Sequence, residues 1–269
     1  MKDKPARLLI IGGSDSGGGA GIQADIKTAT AFGVYAMTAV TAVTVQDTVR
    51  VHSIHPVPAS VIRDQITCVL EDIGADAIKI GMLGSREVVE AAADVLAGRT
   101  SIPIVLDPVL ASTSGALFLN ADAIDLMTTR LFPLAVLVTP NLPELEQLSA
   151  LHAADDAEII IAAGRLRAGG TRAVLVKGGH AECANVRDIL VSDDGTQIFE
   201  ASRIETHPAH GTGCTLSTAI ACALARHMSL SDAIRQARGF VRSALETSLH
   251  LGAGYRPLNH MLNIPDAGI

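Results

Sequence analysis

Short runs of β-branched and aliphatic residues alternate along this chain with longer stretches in which apolar residues recur every three or four positions. The short runs predict strands at 8–11, 40–45, 77–80, 102–106, 135–138 and 173–176. The longer stretches predict helices at 21–32, 59–73, 86–97, 121–131, 144–150 and 157–168. Runs at 189–191 and 197–204 flank Asp193-Asp194-Gly195, an Asp-Gly turn that predicts an antiparallel hairpin added to the parallel set. Helices at 212–227 and 231–251 complete the pattern. No Pro/Ser-rich linker, low-complexity tract or internal repeat interrupts it. Strands feeding helices therefore predict a single α/β domain, 1–269, with a doubly wound, mostly parallel sheet and helices on both faces.

Composition narrows the function classes. Apolar residues make up 48% of the chain, Trp is absent and aromatics are 3%, which suits aliphatic helices packed tightly on a parallel sheet. The formal charge is −7 with a pI near 5.7 and no Lys/Arg run, so no nucleic-acid partner is expected. Cys68, Cys183, Cys214 and Cys222 show no Cys-x-x-Cys spacing, which predicts neither zinc nor a disulfide framework and fits a reducing compartment. The polar start and the short first apolar run predict neither a signal peptide nor a membrane span, and a cytoplasmic location is expected.

Candidate chemistry gathers at the carboxyl ends of the predicted strands. Gly12 to Gly21 follows the first, Gln46-Asp47-Thr48 the second and Gly81-Met82-Leu83 the third. Asp107-Pro108, Thr139-Pro140-Asn141 and Lys177-Gly178-Gly179-His180 follow later ones. In a doubly wound sheet these ends form one edge, where ligands bind. His210-Gly211-Thr212-Gly213-Cys214 stands before a long apolar helix, where glycine-freed N–H groups and the helix dipole favour an anion. No Gly-x-x-x-x-Gly-Lys-Ser/Thr occurs, which argues against a P-loop enzyme. Gly19-Ala-Gly-Ile-Gln-Ala24 matches a dinucleotide fingerprint, with Asp47 as the ribose-binding acid, so an NAD-dependent oxidoreductase is a competing reading.

Several motifs, in order and over nearly the whole chain, resemble the hydroxymethylpyrimidine/phosphomethylpyrimidine kinase family. They are Gly13-Ser-Asp-Ser-Gly-Gly-Gly-Ala-Gly-Ile-Gln-Ala-Asp25, Lys79-Ile-Gly-Met-Leu83, Asp107-Pro-Val109, Thr139-Pro-Asn-Leu-Pro-Glu144, Val176-Lys-Gly-Gly-His180 and His210-Gly-Thr-Gly-Cys-Thr215. The resemblance implies a ribokinase-like fold and two successive ATP-dependent phosphorylations, of the pyrimidine alcohol and then of its monophosphate, in thiamine biosynthesis. It implies a pyrimidine pocket of Gln46, Ala20, Met82, Gly13 and Asp25, in which the Gln46 amide donates to a ring nitrogen and accepts from the adjacent amino group. Lys177, Thr212, Gly213, Asn141 and Arg238 would serve ATP, and Asp107 and Glu144 would hold Mg2+ largely through water. Asp107 before Pro108 also reads as a strand terminator, and Glu144 as a helix N-terminal acid.

Cys214, with Gly211, Gly213 and Lys177, would form the catalytic group. A thiol at a helix N-terminus is expected to have a depressed pKa and so to act as the base that activates the attacking hydroxyl, and Cys214 also reads as a small residue filling the helix start. Beyond the pyrimidine and ATP, a second copy of the chain is the expected partner, in a homodimer.

The chain departs from the family pattern in four places. Ser112-Thr113-Ser114-Gly115 lacks an expected lysine at Thr113, and Arg238 replaces a lysine near the start of the last helix. His207-Pro208-Ala209 precedes the cradle in place of the usual pair, and Tyr255-Arg256 replaces a smaller pair. Pyridoxal kinase and a non-catalytic pyrimidine- or nucleotide-binding protein therefore stay open as alternatives. Residues 180–187 are a candidate lid.

Overall fold

The computed structural model describes residues 4–111, 118–178, 184–204 and 209–262. The chain runs β1 (Arg7–Asp15), α1 (Gly21–Ala31), β2 (Tyr35–Gln46), β3 (Val51–Pro56), α2 (Ala59–Asp72), β4 (Ala77–Ile80), α3 (Arg86–Leu96), β5 (Ile104–Leu106) and α4 (Ala121–Arg130). It continues with β6 (Leu137–Val138), α5 (Leu142–Ser149), α6 (Asp156–Ala168), β7 (Val174–Val176), β8 (Asn185–Ser192), β9 (Gly195–Ser202), β10 (Ala209–His210), α7 (Thr212–Ala225), α8 (Leu230–Glu246) and β11 (Arg256–Pro257). Nine strands form one sheet in the order β3-β2-β1-β4-β5-β6-β7-β8-β9, and β10 pairs with β11 separately.

The two-residue period of the strands sorts their side chains between two helical layers. In β1, Leu9 and Ile11 join Ile78, Ile80, Ile104 and Leu106 against α2 to α6. Leu8 and Ile10 face the other way, with Val105, Leu137 and Leu175, against α1, α7 and α8. All four β1 residues are fully buried, so each contributes about 1.5–3 kcal/mol of hydrophobic stabilisation. Strands buried on both faces read as continuous apolar runs, which is why these segments are visible in the sequence.

The doubly wound sheet with helices on both faces is the expected architecture, with the pairs β2/β3, β7/β8 and β8/β9 antiparallel. Gly195 takes the Asp-Gly turn with φ +102°. Besides the two-residue β10 and β11, one strand of the main sheet is not expected from the sequence. Val51-His-Ser-Ile-His-Pro56 forms edge strand β3, whose half-exposed face tolerates two histidines and whose open edge tolerates a proline. The strand expected at 40–45 starts earlier, at Tyr35. The last helix is shorter than the expected 231–251, and its chain turns back at Thr247 toward β11.

α7 is apolar all round because it lies between the sheet, α1 and α8. Its amino end is thereby fixed at the carboxyl edge of β1, β4 and β5. Among the described residues no helix is long and apolar enough to cross a membrane.

Candidate active site

Two glycine-rich loops meet at the amino end of α7. Gly211 has φ +84°, and a Cβ there would stand 1.9 Å from the carbonyl oxygen of Gly19. Gly21 has φ +56°, with a Cβ position only 2.4 Å from the carbonyl oxygen of Gly13. Any side chain at either position would force the loops apart. No side chain caps α7, so the N–H groups of Thr212, Gly213 and Cys214 have no intrahelical partner, and the three residues line a cavity of about 1310 Å³. This is the geometry an anion cradle requires.

Beside it stands a cluster of charges. A Cβ on Gly213 would lie 3.2 Å from Lys177 Nζ and 3.6 Å from Asp107 Oδ2, so glycine here keeps the cradle open to both. Lys177 Nζ donates to Asp107 Oδ1 at 2.7 Å and lies 3.8 Å from Glu144 Oε2. Thr139 Oγ1 donates to Asp107 Oδ1 at 3.0 Å, and Ser217 Oγ reaches Oδ2 at 3.4 Å. Burial works to raise the Asp107 pKa, but Lys177, Lys79 and these hydrogen bonds outweigh it and hold the carboxyl below its usual range. Glu144 is pushed up by burial and by Asp107, against the pull of Lys177.

Two carboxylates against one ammonium leave residual negative charge, and their oxygens are the hard donors Mg2+ prefers. Among the described residues no trio of His, Cys, Asp or Glu gathers, so a cation here would complete its shell with phosphate and water oxygens.

Deeper still, Lys79 Nζ bonds Asp25 Oδ2 at 2.7 Å, both side chains being buried, and Thr218 Oγ1 donates to Asp25 Oδ1 at 2.7 Å. The strand period explains the pairing: Lys79 alternates with Ile78 and Ile80 and so faces α1 and α7. Asp25, expected at the substrate pocket, lines the floor of the same cavity, where its buried carboxylate is held by this ion pair.

The cavity is also lined by Gln46 from β2, Met82 after β4, Gly13 and Ala20. A Cβ on Gly13 would meet Met82 Sδ at 3.0 Å, so the bare glycine makes room for the thioether. Gln46 Nε2 lies 2.7 Å from His210 Nε2, and Thr44 Oγ1 reaches Gln46 Oε1 at 3.3 Å. Asp15 organises the loop by accepting N–H groups from Gly17, Gly19 and Ala20 at 2.8, 3.1 and 2.8 Å. Burial works to raise the Asp15 pKa, but the nearby His210 and these amides hold it below the usual range.

Sequence reasoning places Gln46, Ala20, Met82, Gly13, Gly211, Thr212, Gly213, Cys214, Lys177, Asp107 and Glu144 around one cavity, and the structure brings them together. One expectation changes, and two further lining residues, Arg238 and Asn141, have partners of their own within the chain. The Cys214 thiol is not depressed: burial and the carboxylates of Asp25 and Asp107 raise it to about 11, although Lys79 pulls the other way. Arg238 lines the cavity, but its Nε bonds Asp188 Oδ2 at 2.7 Å and its Nη2 reaches the Val186 carbonyl at 3.3 Å. Asn141 caps α5: its Oδ1 accepts from Glu144 N while its own N–H donates to Glu144 Oε2.

Asp47 serves its own turn, accepting from Val49 N and Arg50 N and pairing with His52, which removes the acid of the dinucleotide reading. Tyr255 and Arg256 belong to a segment held against Thr48 and β10. Thr113 and its neighbours, His207-Pro208, Cys183 and half of the expected lid (180–183) lie outside the described residues; 185–187 open β8. Among the described residues Cys68, Cys214 and Cys222 are free thiols. Sequence reasoning misses Asp15, Lys79 and His210 as site members, although each stands inside a motif it singles out.

Residues 15–259 match the phosphomethylpyrimidine kinase family. The chain is 41% identical over 256 residues to the hydroxymethylpyrimidine/phosphomethylpyrimidine kinase of Streptomyces coelicolor, covering 95% of this chain and 94% of that one. It is 42% identical over 259 residues to the thiamine biosynthesis bifunctional protein ThiED of Geobacter sulfurreducens, covering 96% of this chain but only 53% of that longer protein. Among solved structures, the ADP complex of Bacillus subtilis pyridoxal kinase superposes with a TM-score of 0.87 at 32% identity, covering 96% of this chain and 98% of the other. The fold is ribokinase-like. With the glycine-lined cradle, the lysine and carboxylate cluster and the glutamine pocket on one cavity, and with that match over most of its length, the chain belongs to the phosphomethylpyrimidine kinase family.

Proposed function

We propose that this protein is a single-domain cytoplasmic kinase that uses MgATP to phosphorylate 4-amino-5-hydroxymethyl-2-methylpyrimidine and then its monophosphate, in thiamine biosynthesis. The observation that carries the reading is the arrangement of one cavity. Its phosphate cradle at Gly211 to Cys214 opens between the charges of Lys177, Asp107 and Glu144 and the amide of Gln46.

The residues divide the work accordingly. The N–H groups of Thr212, Gly213 and Cys214, free of intrahelical partners, hold the phosphoryl oxygens as charge builds on them. Lys177 supplies a point charge to the nucleotide phosphates. Asp107 and Glu144 would hold Mg2+, which would neutralise the phosphate oxygens. Gln46 grips the aminopyrimidine and directs its hydroxymethyl group toward the cradle, and Cys214 stands at the acceptor as the candidate base.

Exposed Val43, Val45 and Val49, on β2 and the turn after it, favour a homodimer that covers them. Light scattering tests that state.

ATP consumption measured against the pyrimidine alcohol, its monophosphate and pyridoxal, with and without Mg2+, tests the function. Turnover of the two pyrimidines that requires Mg2+ is expected. Preference for pyridoxal would move the chain to the chemistry of its structural neighbour, and no turnover of any would leave a binding protein. Gln46→Ala is expected to weaken pyrimidine binding by about 1–3 kcal/mol with ATP binding intact, as read by calorimetry with each ligand. Equal losses for both ligands would remove Gln46 from the pocket's recognition role.

A further inference from the structure

Gln46 does not stand alone in the acceptor pocket; its amide is clamped on both sides. On one side Thr44 Oγ1 lies 3.3 Å from Gln46 Oε1 and 2.9 Å from the Ser14 carbonyl. On the other, Gln46 Nε2 lies 2.7 Å from His210 Nε2. The two contacts do not constrain the amide equally. A threonine hydroxyl both donates and accepts. With its proton on the Ser14 carbonyl it would accept from an amide N–H as readily as it now donates to an amide oxygen, so Thr44 tolerates either orientation of the amide. An imidazole nitrogen has one role at a time. An amide nitrogen only donates, so the observed contact requires His210 Nε2 to accept, with the ring proton on Nδ1.

The ring is itself held in place. Its backbone is in β10, paired to Pro257 of β11, and its Cδ2 would lie 3.1 Å from a Cβ on Gly19, so the ring packs on that bare glycine. The side chain is largely buried, with Asp15 Oδ2 at 3.6 Å. That oxygen already accepts from Gly19 N and Ala20 N. That gap is wider than the 2.7 Å contact, so Nε2 stands closer to Gln46 than to Asp15.

We propose that His210 is a specificity-determining positioning residue: it fixes the orientation of the Gln46 amide and so the order in which donor and acceptor face the substrate. This rests on the reading that Gln46 grips the pyrimidine. Turning the amide over exchanges N–H and C=O at the pocket edge. A ring nitrogen beside an amino group presents an acceptor and a donor in one order only. It matches one amide orientation with its hydroxymethyl group toward the cradle, and the other orientation opposes donor to donor. Pyridoxal, whose ring nitrogen has no amino neighbour, makes no such demand.

The test compares His210→Leu, which removes the acceptor, with His210→Gln, whose terminal amide reaches the place of Nε2 and can accept there. KM and kcat are measured for the pyrimidine alcohol, ATP and pyridoxal, beside Gln46→Ala, with thermal melting to verify folding. His210→Leu is expected to raise the pyrimidine KM roughly tenfold, the size of one net hydrogen bond, with the KM values of ATP and pyridoxal within about twofold. His210→Gln is expected to recover most of that loss.

If Gln46→Ala weakens pyrimidine use while His210→Leu does not, the positioning role is wrong and the glutamine reading stands. If His210→Leu raises all three KM values together, or His210→Gln fails as badly as His210→Leu while melting like the parent, the histidine is structural packing. If Gln46→Ala leaves the pyrimidine KM unchanged, both the glutamine reading and this role fall.

Discussion

Asp107→Asn is expected to lower turnover by roughly 10²–10³-fold, the range for losing one preorganised electrostatic group at a transferring centre. Asp107 is buried, and its two oxygens are occupied by Lys177, Thr139 and Ser217, so the carboxylate cannot move to accommodate a change of charge. The amide keeps the shape and removes the negative charge that would hold Mg2+. Among the described residues it also leaves Lys177 with only Glu144 as an ion-pair partner, at 3.8 Å.

Glu144→Gln is expected to cost less, about tenfold, because it lies farther from the ammonium and also works in the capping box of α5. Excess Mg2+ should restore part of the activity of both variants, since a weakened cation site still fills by mass action. Initial rates against Mg2+ at fixed ATP, with pyrimidine binding measured separately, check this. An Asp107→Asn enzyme as active as the parent at limiting Mg2+ would take the carboxylate out of the metal role.

What was legible in the sequence divides along physical lines. β1, β4, β5 and β7 are readable because both faces are buried and nothing polar interrupts the apolar run at their centres except Lys79. β3 is not, since an edge strand with one open side carries no such demand and accepts His52, His55 and Pro56. Helix starts with a side-chain cap, such as Ser85, Asn120 and Asp155, fall close to expectation. The carboxyl end of α8 does not, because no glycine or proline marks its stop at Thr247.

Within the site, the glycines and charged residues that flank strands are visible as punctuation. Partnerships are not. Asp25 and Lys79 are 54 positions apart and meet only because one alternates outward on β4 toward the layer that carries the other. The fate of Arg238 likewise depends on Asp188 in β8, which no local pattern links to it.

Cys214→Ala should separate the two reactions of the proposed pathway. Burial and the neighbouring carboxylates raise the thiol to about 11, against the pull of Lys79, so at neutral pH the group is almost wholly protonated. A base of this kind becomes available tenfold more with each unit of rising pH below its pKa. Phosphorylation of the alcohol, which must lose a proton, should therefore climb about tenfold per pH unit from 7 to 10. The monophosphate has a second pKa near 6 and is already mostly dianionic, so its phosphorylation should be flat over the same range, as about one pH unit above that pKa suffices. Removing the thiol should abolish the slope and slow the first reaction by roughly 10²–10⁴-fold, the cost of losing a general base, while the second changes little. Both rates followed from pH 6.5 to 10, with melting curves to exclude alkaline unfolding, decide the matter. Equal losses in both reactions would mean that Cys214 shapes the cradle for the phosphoryl group in either step. A preserved slope in the alanine variant would assign the proton to another group, and the thiol would then be packing at the start of α7.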